Sequence, residues 1–91
     1  MSRSEEERFA DIRNAIRRCN DYAPFLRSDD LASMAYDALL RNLAVIGEAV
    51  RALPSETRES MPEVPWAAIA GLRNVVVHEY FRVKHDLILD L

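Results

Sequence analysis

The chain has 91 residues, a formal net charge of −3 at pH 7 and a sequence pI of about 5.3. Its 49% hydrophobic and 30% charged residues are typical of one globular domain and exclude global disorder. The acidic balance argues against a broadly basic surface that coats nucleic acid, although it leaves room for a local basic site. The single cysteine excludes an internal disulfide, and without CxxC, HExxH or a dense His/Cys cluster we expect no metal site.

The N-terminal segment Met1–Glu7 is polar and acidic, unlike a secretory signal peptide. No apolar run approaches the roughly 20 residues that an α-helix needs to cross a bilayer. We therefore expect a cytoplasmic protein in which residues 1–91 form a single domain.

The first helix is predicted over about residues 4–22. Ser4 and Glu7 have the spacing of a capping box, and Pro24 ends the segment. One face carries apolar residues at helical spacing, namely Phe9, Ile12, Ile16 and Cys19. We expect Cys19 to be a buried small apolar residue of this face.

The second helix is predicted over about residues 30–53, with Ser28 and Asp29 as candidate caps. It is long, and its apolar residues extend around more than one side. A helix of this kind must be covered on most sides. The pattern therefore indicates a central helix or one that packs against a second subunit.

The second helix also carries charged residues on one stripe. Asp37 and Arg41 lie four residues apart, Glu48 lies seven residues after Arg41, and Arg51 follows three later. This spacing is compatible with a solvated face that forms ion pairs along the helix. The other interpretation is the charged lining of a cleft or of a dimer interface.

The stretch Pro54–Pro65 is predicted to be a connector with one short helical turn at about residues 56–60. A third helix is predicted to start at Pro65 or Trp66, because proline is favoured at the first helical position. A 3–4 spacing continues from this start through the residues Trp66, Ile69, Arg73, Val76 and Tyr80. Residues 83–91 are predicted to form a last short helix, which completes an all-α fold.

The chemistry is concentrated between Arg73 and Tyr80, where Arg73, Asn74, His78 and Tyr80 fall within eight positions. The intervening Val75–Val77 are predicted to anchor this segment to the core. On one helix Asn74 and His78 share a face. Arg73 and His78 differ by about 140° of rotation, so they converge only if the helix ends near His78 or a second subunit contributes.

These residue types are suited to phosphodiester chemistry without a metal. Histidine can take the proton from a ribose 2′-hydroxyl as general base, and arginine can stabilise charge on the phosphate. Asparagine can orient either group through hydrogen bonds. The alternative is a salt bridge and a helix cap with no catalytic role.

Three blocks of the chain resemble the HepT-like proteins of the HEPN superfamily. Residues 73–80 resemble the family's R-x(4)-H-x-Y signature. Residues 41–49, RNLAVIGEA, resemble a segment of the family's long second helix, and residues 64–74, VPWAAIAGLRN, resemble its approach to the signature. The blocks occur in the family's order and separation, and the resemblance covers essentially the whole chain.

The resemblance implies an antiparallel bundle of four or five helices that forms homodimers, with the two motifs meeting near the two-fold axis. It further implies a metal-independent endoribonuclease, with no cofactor, that is the toxin of a toxin–antitoxin pair. The implied partner is a minimal nucleotidyltransferase antitoxin, which transfers AMP to the motif tyrosine, here Tyr80. The AMP group adds bulk and negative charge beside the site and would block an anionic RNA substrate.

Carried onto this sequence, the resemblance makes Arg73 the phosphate-stabilising residue and His78 the general acid or base. Asn74 would orient these groups, and Tyr80 would accept AMP. The three charged residues of the second helix would shape the cleft, namely Asp37, Arg41 and Glu48. The family's last helix usually extends beyond the equivalent of Leu91 and carries a tryptophan, so we expect this helix to be abbreviated or truncated.

Two other functions remain open from the sequence. A non-catalytic HEPN subunit could dock a minimal nucleotidyltransferase or bind a nucleotide. A purely structural helical protein, in which the motif is an inert cap, is the third alternative.

Overall fold

The computed structural model describes residues 4–80, and these residues form helices and connecting turns without a β-strand. The all-α prediction is therefore confirmed for this part of the chain. The elements in chain order are α1 (Glu5–Tyr22), a 3₁₀ helix (Ala23–Arg27), α2 (Ala32–Ala52), α3 (Ser55–Glu59), α4 (Trp66–Ala70) and α5 (residues 72–80). The last predicted helix, residues 83–91, lies outside the described residues.

The ends of the first two helices are set by short polar side chains. The Ser4 hydroxyl accepts the N–H of Glu7, and the Glu7 carboxylate accepts the N–H of Ser4, each at 3.1 Å. The predicted capping box is thus confirmed, and it satisfies two backbone donors that α1 leaves unpaired. Before α2, the Ser28 hydroxyl accepts the N–H of Leu31 at 3.2 Å, so Ser28 stabilises the turn that leads into the helix.

The core lies between α1 and α2. Its buried centre consists of Ala15, Leu43, Ile46 and Val50. Partly buried residues of other elements surround it, namely Ile12, Cys19, Leu39, Trp66, Ile69, Ala70 and Val76. Because the 3₁₀ helix reverses the chain, α1 and α2 are antiparallel, and both contribute to this core along their length.

α2 is the central helix, but its cover in the described part of the chain is one-sided. Seven of its residues are buried, including the polar Asn42, whose side-chain amide donates to the Ala38 carbonyl at 2.8 Å. At the margins of this buried face, Met34 beside Phe25 is 70% exposed, and Val45 in the groove between α1 and α2 is 36% exposed. The apolar pattern that predicted cover on most sides of α2 is therefore only partly satisfied by residues 4–80.

The connector after α2 is held by Trp66, the first residue of α4. Its indole N–H donates to the carbonyls of Arg58, at 3.0 Å, and Met61, at 3.2 Å. These bonds fix the turn between α3 and α4, and they satisfy the polar edge of a half-buried ring. α3 itself confirms the short helical turn predicted in the connector.

The 3–4 spacing that runs from Trp66 to Tyr80 is divided between two helices in the structure. α4 ends at Ala70, and Gly71 adopts φ −93° and ψ 0°. The N–H of Asn74 donates to Gly71, three residues back, at 3.1 Å. In an uninterrupted α-helix it would donate four residues back, to Ala70. This local tightening separates α4 from α5, the helix that carries the motif.

Within residues 4–80, no helix combines the length and the apolar character needed to cross a bilayer.

Candidate active site

α5 packs antiparallel to α2 and carries the whole motif. At one end of this contact, the Ala70 carbonyl just before α5 lies beside Gly47 and Arg51 of α2. At the other end, the ring of Tyr80 stacks on the ring of Tyr36, with centroids 3.9 Å apart and planes 18° apart. The chain positions of these two contacts fix the direction of α5 along α2.

The approach of the two chain segments is closest at Gly47. A Cβ atom on Gly47 would lie 2.9 Å from the Ala70 carbonyl oxygen, which is closer than such atoms pack. Gly47 therefore lets the backbone at the end of α4 lie directly against α2. Arg51 then reaches across this contact, and its Nη2 donates to the Ala70 carbonyl at 3.1 Å.

A cleft of about 220 Å³ opens beside this contact, between α2 and α5. Its described lining residues are Leu43, Ala44, Gly47, Arg51, Ala70, Arg73 and Asn74. Two of the predicted site residues, Arg73 and Asn74, are thus brought together in one cleft. They also contact each other, because Nη1 of Arg73 lies 3.5 Å from Oδ1 of Asn74, the outer limit of a hydrogen bond.

His78 is exposed and lies one helical turn after Asn74 on the same face of α5. It is not among the described residues that line the cleft of Arg73. α5 remains helical through Tyr80, so the helix does not end near His78 within the described residues. Of the two ways in which Arg73 and His78 could converge, an early end of the helix is therefore not observed.

Tyr80 is half-buried against Tyr36, a residue of α2 that the sequence did not single out. The small angle between the planes makes this a stacked pair. The contact fixes the plane of the Tyr80 ring and holds the far end of α5 on α2. The only sequence signal for Tyr36 was an aromatic residue on the second predicted helix.

The predicted anchoring of the motif by three valines was only partly correct. Val76 packs against the core, and Val77 is half-buried. Val75 is 55% exposed, because it lies on the side of α5 that faces away from α2. Arg73, Asn74 and His78 are themselves exposed, so the motif lies at the surface of a helix that the core supports from one side.

The three charged residues of α2 that were predicted to shape the cleft are all exposed. Asp37 and Arg41 lie on the uncovered side of the helix. Glu48 lines a separate groove between α1 and α2, together with Arg8 and Asp11. The structure therefore does not bring these three residues to the cleft of Arg73. The charged α2 residue that lines this cleft is Arg51.

The described residues contain no cluster of three or more His, Cys, Asp or Glu side chains arranged to hold a metal ion. Cys19 is half-buried on α1, and desolvation by burial raises the pKa of its thiol. A raised thiol pKa keeps the group neutral, which suits its packing against the core and makes it a poor nucleophile.

Arg51 was predicted to belong to the charged stripe of the second helix, for which a cleft lining was one interpretation, but it was not assigned to the site of Arg73. The available signal was Gly47, because a glycine in the middle of a long helix often marks a close approach of another backbone. Arg51 lies one turn after Gly47 and hence on the same side of α2. The cleft as described can bind an anion through guanidinium and amide N–H groups, with an exposed imidazole one turn away on α5.

The chain is similar in sequence to a family of ribonucleases along most of its length. The sequence model of a family described as ribonuclease HepT-like matches residues 12–91. "Putative RNase MJ1380" of Methanocaldococcus jannaschii is 32% identical over 93 residues, which cover 97% of this chain and 84% of that protein. "Probable ribonuclease HepT" of Thermococcus cleftensis is 31% identical over 85 residues, which cover 91% of this chain and 77% of that protein.

A third relative has a higher sequence identity over a shorter match. "Putative RNase TTE0752" of Caldanaerobacter subterraneus subsp. tengcongensis is 51% identical over 53 residues, which cover 58% of this chain and 47% of that protein. The chain thus spans about half the length of some of the relatives it matches. No solved structure matches the chain.

Proposed function

The chain belongs to the HepT-like ribonuclease family of the HEPN superfamily, and from this premise we propose that it is a metal-independent endoribonuclease. In this proposal residues 1–91 form one domain that acts as a homodimer. The protein is the toxin of a toxin–antitoxin pair, and a minimal nucleotidyltransferase is its antitoxin.

One observation carries the catalytic part of the proposal. α5 holds Arg73 and Asn74 at the polar cleft and presents His78 to solvent one turn later. An exposed imidazole can reach a substrate, and the arginine beside it supplies donors for a phosphate. The names of the relatives, which call them ribonucleases, support RNA as the substrate.

The proposed reaction uses the ribose as its own nucleophile. His78 takes the proton of a 2′-hydroxyl, and the 2′-oxygen forms a bond to the adjacent phosphorus. The bond from phosphorus to the 5′-oxygen breaks, and that oxygen takes a proton from solvent, to which His78 returns the proton that it removed. Arg73 stabilises the negative charge that develops on the phosphate, and Asn74 orients the reacting groups. The products are a 2′,3′-cyclic phosphate and a 5′-hydroxyl, and no metal-bound water takes part.

The homodimer resolves the separation of the two catalytic side chains. Arg73 and His78 differ by about 140° around α5, so one helix cannot direct both at the same phosphate. A second α5 related by a two-fold axis would bring His78 of one subunit towards Arg73 of the other. The apolar Met34 on α2 supports association at a dimer interface, because the described residues leave it 70% exposed. Asp37, Arg41 and Glu48 would shape this interface or the joint cleft.

Regulation is proposed to act on Tyr80. The Tyr80 hydroxyl would attack the α-phosphorus of ATP held by the nucleotidyltransferase, lose its proton and release pyrophosphate. The resulting phosphodiester places an AMP group on the same helix as Arg73 and His78. Its negative charge would compete with RNA phosphate for the arginine.

The test is a cleavage assay on single-stranded RNA in the presence of EDTA. The purified wild type is compared with His78→Ala, with Arg73→Ala and with Arg13→Ala, a control arginine that is exposed on α1. We expect the wild type and the control to produce 2′,3′-cyclic phosphate ends, detected by mass spectrometry. Both motif variants should lose at least 100-fold in rate while they retain the helical circular dichroism spectrum.

Cleavage that persists unchanged in His78→Ala would refute the catalytic proposal. Cleavage by the wild type that stops with EDTA would refute metal independence. If the wild type does not cleave RNA although mass spectrometry shows Tyr80 unmodified, the non-catalytic docking subunit becomes the better account.

A further inference from the structure

The cleft beside Arg73 contains a second guanidinium group that the family signature does not include. Arg51 lies on α2, 22 residues before Arg73 in the chain, and both line the same cleft of about 220 Å³. Asn74 adds an amide to this lining. Among the described lining residues none is acidic, although the chain as a whole carries a net charge of −3. The local charge of the cleft is therefore opposite to that of the whole chain.

The backbone explains why Arg51 lies there. Because of the break at Gly71, the N–H of Asn74 donates to the carbonyl of Gly71 instead of that of Ala70. Arg51 donates to the Ala70 carbonyl, which ends α4 and is one of the acceptors that a helix terminus leaves unpaired. Gly47 makes this reach possible, because a Cβ at that position would lie 3.2 Å from Nη1 of Arg51. Among the described residues, this hydrogen bond uses one of the five N–H donors of the Arg51 guanidinium.

We propose that Arg51 and Arg73 form a phosphate-binding subsite for a phosphodiester of single-stranded RNA. Arg51 binds the phosphate next to the one that is cleaved and so positions the strand along α5. The subsite rests on the proposed function, whose substrate it specifies further. Two guanidinium groups and no carboxylate fit a phosphate, which accepts paired N–H groups from arginine. The small side chains of Ala44 and Ala70, with Gly47, leave room for the backbone of the strand.

The binding test uses a fluorescein-labelled RNA of 12 nucleotides in EDTA, measured by fluorescence anisotropy. All proteins carry His78→Ala so that the RNA stays intact. Arg51→Gln should weaken binding by about 10-fold, because it removes a charged hydrogen-bond donor to phosphate. Arg13→Gln is the matched control with the same loss of charge on exposed α1, and it should change binding less than 2-fold.

The salt dependence separates a phosphate contact from a structural effect. Each phosphate contact to a single strand contributes a slope of about 0.7 in a plot of log affinity against log salt concentration. Arg51→Gln should reduce the slope by about this amount, whereas a variant that only perturbs the fold should leave it unchanged. Arg51→Lys keeps the charge and should retain most of the slope while it loses the paired geometry.

A second pair of variants leaves the bond between Arg51 and Ala70 in place. Ala44 is exposed at the cleft, so Ala44→Glu adds a carboxylate there without a need to disturb the core. It should weaken RNA binding by about 10-fold or more, since the added charge repels phosphate. Ala52→Glu, at an exposed position of the same helix outside the cleft lining, should have little effect.

Equal weakening by Arg51→Gln and Arg13→Gln, an unchanged salt slope, or the absence of RNA binding by the parent would overturn the subsite. Failure of the proposed function gives a different result. A protein with intact His78 that does not cleave RNA, but whose RNA binding depends on Arg51, keeps the subsite and loses the nuclease. RNA cleavage that depends on His78 but is unchanged by Arg51→Gln supports the nuclease and refutes the subsite.

Discussion

Replacement of Gly47 by alanine tests the contact that places the motif helix on α2. The added Cβ would lie 2.9 Å from the Ala70 carbonyl oxygen and 3.2 Å from Nη1 of Arg51. The first neighbour is backbone at the end of α4, so it cannot turn aside as a side chain would. The end of α4 must therefore move away from α2, and the hydrogen bond from Arg51 to Ala70 must lengthen or break.

The expected magnitude comes from three opposing effects. Alanine favours a helix interior over glycine by about 1 kcal/mol. Forcing an extra carbon into a packed contact costs about 1–3 kcal/mol. Loss of the hydrogen bond to Ala70 adds about 1 kcal/mol. The free energy of unfolding should thus fall by about 1–3 kcal/mol, which lowers the melting temperature of a domain this size by roughly 5–20 °C.

Thermal and urea unfolding followed by circular dichroism measure this change, with all variants at one protein concentration. Gly71→Ala is the control, because its Cβ would lie 3.5 Å from the Ala67 carbonyl oxygen and 3.9 Å from that of Ala68, at ordinary contact distance. With φ at −93° it should be neutral or stabilising by up to about 1 kcal/mol. A Gly47→Ala protein as stable as the wild type would refute the close approach.

Three further predictions concern the surroundings of the site. Trp66→Phe removes the donor to two backbone carbonyls and should lower the free energy of unfolding, measured by urea titration, by about 1–2 kcal/mol. No change would mean that these hydrogen bonds do not stabilise the fold. Tyr36→Leu removes the stack on Tyr80 and should lower the free energy of unfolding by about 1 kcal/mol, whereas Tyr36→Phe keeps the ring and should lower it much less. Equal decreases in the two variants would contradict a stacking contribution. Burial raises the pKa of the Cys19 thiol, so the native protein should react with iodoacetamide more slowly than the unfolded protein. Because the pKa is higher in the native state, this thiol contributes stability that is fully present below the ordinary thiol pKa. That contribution is lost as the pH rises through the raised native pKa. Cys19→Ala should remove that part of the alkaline loss of stability, and an unchanged pH profile would argue against it.

The helices could be predicted because their signals are local. The capping box of Ser4 and Glu7 and the prolines of the connector set helix ends through contacts within a few residues of the chain. The family was likewise recognisable from three short blocks, of which the signature on α5 is one. Such features depend on sequence neighbours and need no knowledge of packing.

The break at Gly71 and the role of Arg51 could not be predicted in the same way. The 3–4 spacing of apolar residues continues across Gly71, so periodicity alone favoured one long helix. The break is seen in the backbone angles of Gly71 and in the shift of the Asn74 hydrogen bond. Arg51 reaches the cleft because the end of α4 packs against Gly47. Both depend on contacts between residues that are far apart in the chain, as does the exposure of Val75.

The most direct test of the account is complementation between two inactive variants. Arg73→Ala and His78→Ala are unfolded together and refolded, so that half of the dimers contain one subunit of each kind. If the site joins Arg73 of one subunit to His78 of its partner, each mixed dimer has one intact site of two. RNA cleavage in EDTA should then return to roughly a quarter of the wild-type rate. A mixture that stays inactive, beside a refolded wild type that cleaves RNA, would contradict a site shared between subunits.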